Sequence, residues 1–117
     1  MQPLEAAPGV RTVGELELVD MVGQGAFVID CRTAGFVGGR TIAGSVNIPH
    51  DEILDRKDEL DRGHVSILFC NGPQCPQSSR AIRQLLDDGY QAQALAYYRG
   101  GMHGWVTQAM PTEPRGD

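Results

Sequence analysis

The chain has 117 residues, a length that suits one domain with a single core. Fifteen acidic residues against ten basic ones give a net charge of −5, and Lys57 is the sole lysine. Phosphate and anionic-lipid recognition need clustered Lys and Arg, so no nucleic-acid and no membrane partner is expected. No apolar run approaches the ~20 residues of a membrane helix. Met1 to Val10 has neither the basic start nor the apolar stretch of an export signal. The expectation is a cytoplasmic protein, with a removed signal left open.

In chain order, residues 1–10 carry two prolines and a glycine and read as a flexible arm. Thr12 with Glu15 three residues on has the form of a capping box, which predicts a helix with Leu16, Val19 and Val22 at helical spacing, stopped by Gly23 and Gly25. Ala26 to Cys31 is a continuous apolar run ending in Asp30-Cys31, as in a buried parallel strand. Thr33 to Gly44 reads as a Gly-rich loop, and Ser45 to Ile48 as a short strand stopped by Pro49. Asp51 can cap a helix through Leu60, with Ile53, Leu54 and Leu60 inward and Arg62-Gly63 after its end.

Val65 to Phe69 reads as a second buried strand. A helix opens near Ser78 with Ile82, Leu85 and Leu86 on one face and Gly89 past its end. Gln91 to Tyr97 is extended in pattern, and Tyr98 to Trp105 turns into a last short helix closed by Pro111. Strands alternating with helices imply an α/β domain of three layers, a central parallel sheet with helices on both faces, spanning 11–112 and followed by a flexible tail over 113–117. Sites in such sheets form at the carboxyl ends of the strands.

Three cysteines, Cys31, Cys70 and Cys75, make no disulfide framework, and three scattered histidines supply no metal-ligand set. No metal and no cofactor is expected. Cys70 stands between the second buried strand and the next helix, in the loop Asn71-Gly72-Pro73-Gln74-Cys75-Pro76. Unpaired N–H groups and the positive end of a helix favour a thiolate there, and the thiolate is the reactive form. The plain alternative is a small buried hydrophobe at a strand end. Pro76 suits a first helical position, which would place Cys75 at the helix cap.

These residues together resemble the single-domain rhodanese-like (thiosulfate sulfurtransferase) family. The resemblance rests on Asp30-Cys31-Arg32 after the first core strand, the run Ile42 to Pro49, the strand–Cys70–loop–helix unit, Gly89-Tyr90, and Gly100-Gly101 with Trp105. It implies a rhodanese-like domain and a sulfurtransferase of sulfur metabolism. A catalytic cysteine, Cys70, would take sulfur from a donor such as thiosulfate, hold it as a persulfide, and pass it to a thiophilic acceptor. Partners would be a small sulfur-donor anion and a thiol or cyanide acceptor, or a protein sulfur acceptor.

The site residues implied are Cys70, with Asn71, Gly72, Pro73, Gln74, Cys75, Ser78 and Arg80 around the sulfur. Asp30 and Arg32 would brace the edge. Cys75 stays open as an alternative nucleophile or as a thiol that resolves a Cys70 persulfide into a disulfide, which requires Cα atoms roughly 4.4–6.8 Å apart. The loop after Cys70 is longer than in common members, Arg40-Thr41 replaces their usual Gly-His, and Met110 replaces a frequent glycine. Two other classes are weighed. One is a sulfur-carrying, sensing or partner-binding module without turnover. The other is a phosphatase or arsenate reductase on the same scaffold, whose Cys-x5-Arg clamp is missing, since Pro76 and Ala81 stand six residues after Cys70 and Cys75. Cys31 and Trp105 are expected in the core, with Tyr98 and His103 near the rim.

Overall fold

A computed structural model describes residue 7 and residues 9–33, 40–61, 63–72 and 75–114. Five strands form one parallel sheet in the order β1-β6-β5-β2-β4: β1 Arg11–Val13, β2 Phe27–Asp30, β4 Val46–Asn47, β5 Ser66–Phe69 and β6 Leu95–Tyr98. Parallel pairing aligns Asp30 with Phe69 and Leu68 with Tyr97, so the carboxyl ends of the three central strands lie along one edge. The expected α/β sheet is therefore present, and the continuous apolar runs have the cause proposed for them. Alternate residues of each strand enter opposite cores.

On one face Ile29, Leu68, Leu95 and Tyr97 pack with Ala81, Ile82 and Leu85 of helix α2, Gln77–Asp87. On the other, Val28, Ile67, Phe69, Ala96 and Tyr98 pack with Leu18 and Met21 of α1, Glu15–Gly23, and with Met102 and Trp105 of α3, Gly101–Thr107. The α2 pattern was legible because its apolar residues make one clear stripe. It ends at Gly89, whose φ of +94° suits glycine, with Tyr90 N–H donating back to Leu85 O.

Four sequence expectations change. Thr12 is not a helix cap; it lies in β1 opposite Tyr97, and α1 starts after Gly14, whose N–H donates to Glu17 Oε1 at 3.1 Å. The buried face of α1 carries Leu18 and Met21, while Leu16, Val19 and Val22 are exposed, Leu16 by 81%. The docking of β1 on the sheet edge sets which stripe turns inward. Residues 51–56 form turns that run into a 3-10 turn at Lys57–Glu59 rather than an α-helix. Ile53 and Leu60 are buried but Leu54 is not, because a charged stretch with two anchors has no apolar stripe to dock. The arm and tail are also shorter than expected. Ala7 and Val10 are buried. Thr112–Pro114 forms β7, antiparallel to β3, Arg40–Ile42, inside what was read as loop. The rest of the arm and tail, Arg62, and 34–39 of the Gly-rich loop lie outside the described residues.

Candidate sulfur site

The site is built from the residues just past β2 and β5. Arg32 and Asp30 are both buried and meet as a two-pronged ion pair, with Nη2 to Oδ2 at 2.7 Å and Nε to Oδ1 at 3.0 Å. The Arg32 main-chain N–H also donates to Asp30 Oδ1, and Thr41 Oγ1 donates to Oδ2 at 2.9 Å. A buried carboxylate needs such a set of donors, because desolvation otherwise costs more than pairing returns. The guanidinium also reaches forward. Nη1 donates to Asn71 Oδ1 at 3.3 Å, and Nη2 to Arg40 O at 2.8 Å. This network joins the β2 edge to the residue after Cys70.

Helix α3 holds the same segment from the other side. Met102 N–H donates to Cys70 O at 2.9 Å and His103 N–H to Asn71 O at 2.7 Å. That approach explains Gly101. A Cβ there would stand 2.5 Å from Cys70 O and 2.7 Å from Gly72 N, and its φ is +59°. Of the Gly100-Gly101 pair, Gly101 is the one that lies against the segment after β5. The Met102 and His103 main-chain donors were missed, since a hydrogen bond made by backbone leaves no trace in residue type, and Thr41 was not singled out as a side-chain partner of Asp30.

Cys70 is 1% exposed and is joined to Cys75 by a disulfide with Cα atoms 6.3 Å apart, within the span a disulfide needs. Cys75 is only half-buried. Its N–H donates to Gly72 O at 3.1 Å. Gln77 places Oε1 3.5 Å from Cys70 Sγ. A carboxamide carries donors as well as an acceptor, so half a rotation presents N–H to a sulfur anion. Gln77 lay within the loop run but was not singled out.

Loop N–H groups were expected around the sulfur, and the described ones are not gathered around this disulfide. Among the described residues no main-chain N–H bonds to either sulfur. A neutral disulfide gives donors no anion to gather, and the Cys75 N–H is already used. The helix supplies donors nearby: Arg80 N–H makes the first bond inside α2, to Pro76 O, so those of Gln77, Ser78 and Ser79 precede the ladder. Pro76 is the cap residue, and Cys75 stands one position before it.

Of the other expected site residues, Ser78 is buried with no hydrogen bond at Oγ among the described residues. Arg80 is exposed, close to opposite the stripe Ala81, Ile82 and Leu85 that faces the core. It makes no side-chain hydrogen bond or ion pair to either cysteine among the described residues. Pro73 and Gln74 lie outside the described residues. Tyr98 is buried rather than at a rim, its O–H donating to Glu15 Oε2, and its phenol is pushed up first by burial and then by that carboxylate. His103 lines an open depression of about 540 Å³ with Asn71, Met102, Val106 and Thr107. Trp105 is in the core as expected. So is Cys31, whose thiol is pushed up by burial and then by the Asp30 charge. No group of side chains suited to holding a metal occurs among the described residues.

The model of the rhodanese-like domain family matches residues 15–108, most of the chain. The chain belongs to that family. Among its relatives, it is 28% identical over 103 residues to an HTH-type transcriptional regulator of Mycobacterium tuberculosis, covering 88% of this chain but 40% of the regulator. The chain therefore spans less than half the length of that curated relative. Among solved structures, the BH2092 protein of Bacillus halodurans superposes with a TM-score of 0.76 at 22% identity, over 89% of this chain and 77% of that one. A thiosulfate sulfurtransferase of Pseudomonas aeruginosa superposes with a TM-score of 0.71 at 21% identity, over 90% of this chain and 20% of that one. At these identities the likeness to solved structures is one of fold. No helix among the described residues is long and apolar enough to cross a membrane.

Proposed function

We propose that this rhodanese-like domain is a sulfurtransferase, with Cys70 as the nucleophile that carries sulfur as a persulfide. The observation that supports it best is where Cys70 Sγ sits: past the end of β5, before α2, meeting another sulfur and an amide rather than hydrocarbon. The cysteine thiolate attacks a sulfane sulfur, and the displaced anion leaves. The resulting persulfide needs N–H donors, which the first turn of α2 and Gln77 can supply without a cation or a base. Thiosulfate fits as donor, and a thiol, cyanide or a protein cysteine as acceptor.

The test is thiosulfate:cyanide sulfurtransferase activity, together with the mass of the reduced protein after thiosulfate. A gain of about 32 Da on the Cys70 peptide is expected, with loss of both signals in Cys70→Ser. Modification confined to Cys75 would move the nucleophile to that residue.

A second reading is a sulfur-sensing or partner-binding module without turnover. It is favoured by the transcriptional regulator among the relatives and by the ready closure of the disulfide. Persulfide formation with negligible turnover would select it. A phosphatase reading finds no support, since no arginine stands in the clamp position and Arg80 faces outward.

A further inference from the structure

We infer that Cys75 is a resolving thiol that expels the carried sulfur as hydrosulfide, making the domain a dithiol-dependent reductase of sulfane sulfur. The inference rests on the reading of Cys70 as the persulfide carrier and adds the fate of the sulfur.

Three observations carry it. First, the Cys70–Cys75 bond shows that Cys75 Sγ reaches Cys70 Sγ, which would be the inner sulfur of a persulfide. Attack there ejects the outer sulfur, whereas attack on the outer sulfur would only relocate the persulfide. Second, access is unequal. Cys70 is 1% exposed and held through its own carbonyl by α3, while Cys75 is half-buried. An outside thiol meets Cys75 more readily than Cys70, so the internal thiol has the advantage in the resolving step and an external one in the resetting step. Third, the Cys75 N–H donates to Gly72 O, which ties Cys75 to the segment that follows Cys70 and keeps the attack within one chain. Cys31 does not compete: it is fully buried in the hydrophobic core, with its sulfur directed at Ile29 O in its own strand.

The steps balance. The Cys70 thiolate attacks the sulfane sulfur of thiosulfate. The S–S bond of the donor breaks, a bond from Cys70 Sγ to that sulfur forms, and sulfite leaves with the electron pair. The Cys75 thiolate then attacks Cys70 Sγ. The persulfide bond breaks, the disulfide forms, and hydrosulfide departs with the bonding pair and the proton that the Cys75 thiol gave up. Two thiols are oxidised to one disulfide while one sulfane sulfur is reduced to sulfide. An external dithiol restores both cysteines and is itself oxidised to its disulfide.

A single turnover tests this. Reduced protein, freed of reductant, receives one equivalent of thiosulfate, and sulfite, sulfide and intact mass are measured. The wild type is expected to release one equivalent of each anion and to end about 2 Da lighter. Cys75→Ser and Cys75→Ala should release sulfite alone and retain about 32 Da on Cys70. With dithiothreitol in excess, sulfide production by these variants should be at least about tenfold slower than by wild type. Sulfite without sulfide from the wild type, with the added mass retained, overturns the inference and leaves the carrier reading standing. Equal sulfide from wild type and the Cys75 variants also overturns it. Neither sulfite nor added mass overturns both.

Discussion

Cys31 and Cys70 occupy matching places and meet different fates. Each is the residue after the last of a central parallel strand, the strands are neighbours, and Asp30 and Phe69 just before them are in register. Both are almost wholly buried. Cys31 N–H donates to Phe69 O, so the two backbones are tied at that level. Yet the Cys31 sulfur lies in hydrocarbon, while that of Cys70 meets Cys75 and Gln77. Strand-end position and burial therefore do not make a cysteine reactive. On the proposed sulfurtransferase reading the next stretch of chain separates them: Cys31 is followed by the buried Arg32–Asp30 ion pair, and Cys70 by residues that lead to an eleven-residue helix.

The sharpest way to break the comparison is to remove each sulfur. Cys70→Ala should abolish sulfur loading by thiosulfate, whereas Cys31→Ala should load fully, as read by intact mass after reduction. Stability responds elsewhere. Asp30→Ala leaves the Arg32 charge buried without its carboxylate and should cost about 3–5 kcal/mol in denaturant unfolding, with loss of the link to Asn71. Gly101→Ala forces a Cβ against Cys70 O in a left-handed backbone, and should cost about 2–4 kcal/mol while also slowing loading.

The smallest effect is on alkaline stability, and it sharpens the contrast. The folded state raises the Cys31 thiol above its ordinary value of 9.0, so it holds that proton more tightly than the unfolded chain does. Its contribution is complete below that value and is lost as pH rises above it. In the disulfide form, where Cys70 and Cys75 do not titrate, the melting temperature should fall above about pH 9, less steeply in Cys31→Ala. A slope unchanged by that substitution would remove Cys31 as its cause.

The sequence revealed β2, β5 and α2 because each buries an apolar run or stripe that has to read continuously. It concealed β1, β3 and β7, which are three residues long and contain Arg11, Arg40 and Glu113; so short a span carries no period. The α1 face was misread because Leu16-Val19-Val22 and Leu18-Met21 offer competing stripes, and sheet contacts decide between them. In the candidate site, Asp30, Arg32 and Cys70 were singled out by residue type and order, and the structure places them along one sheet edge. The placement of Arg80 was not legible, since its distance from the sulfur depends on where α2 begins. The Met102 and His103 main-chain donors had no signal, because every residue but proline carries the same N–H.

The β3–β7 ribbon makes the end of the chain matter to its middle. Arg40 clasps Thr112, Gly44 N–H donates to Glu113, and Trp105 Nε1 donates to Pro111 O. Thr41, in the same ribbon, is the residue that holds Asp30. A recombinant boundary drawn at residue 111 would remove β7, far from the sulfur in sequence, and slacken the frame that aligns Arg32 with Asn71. A fusion or affinity handle placed directly after Pro114 would pull on the same frame, so the spacer there becomes a design choice with chemical consequences.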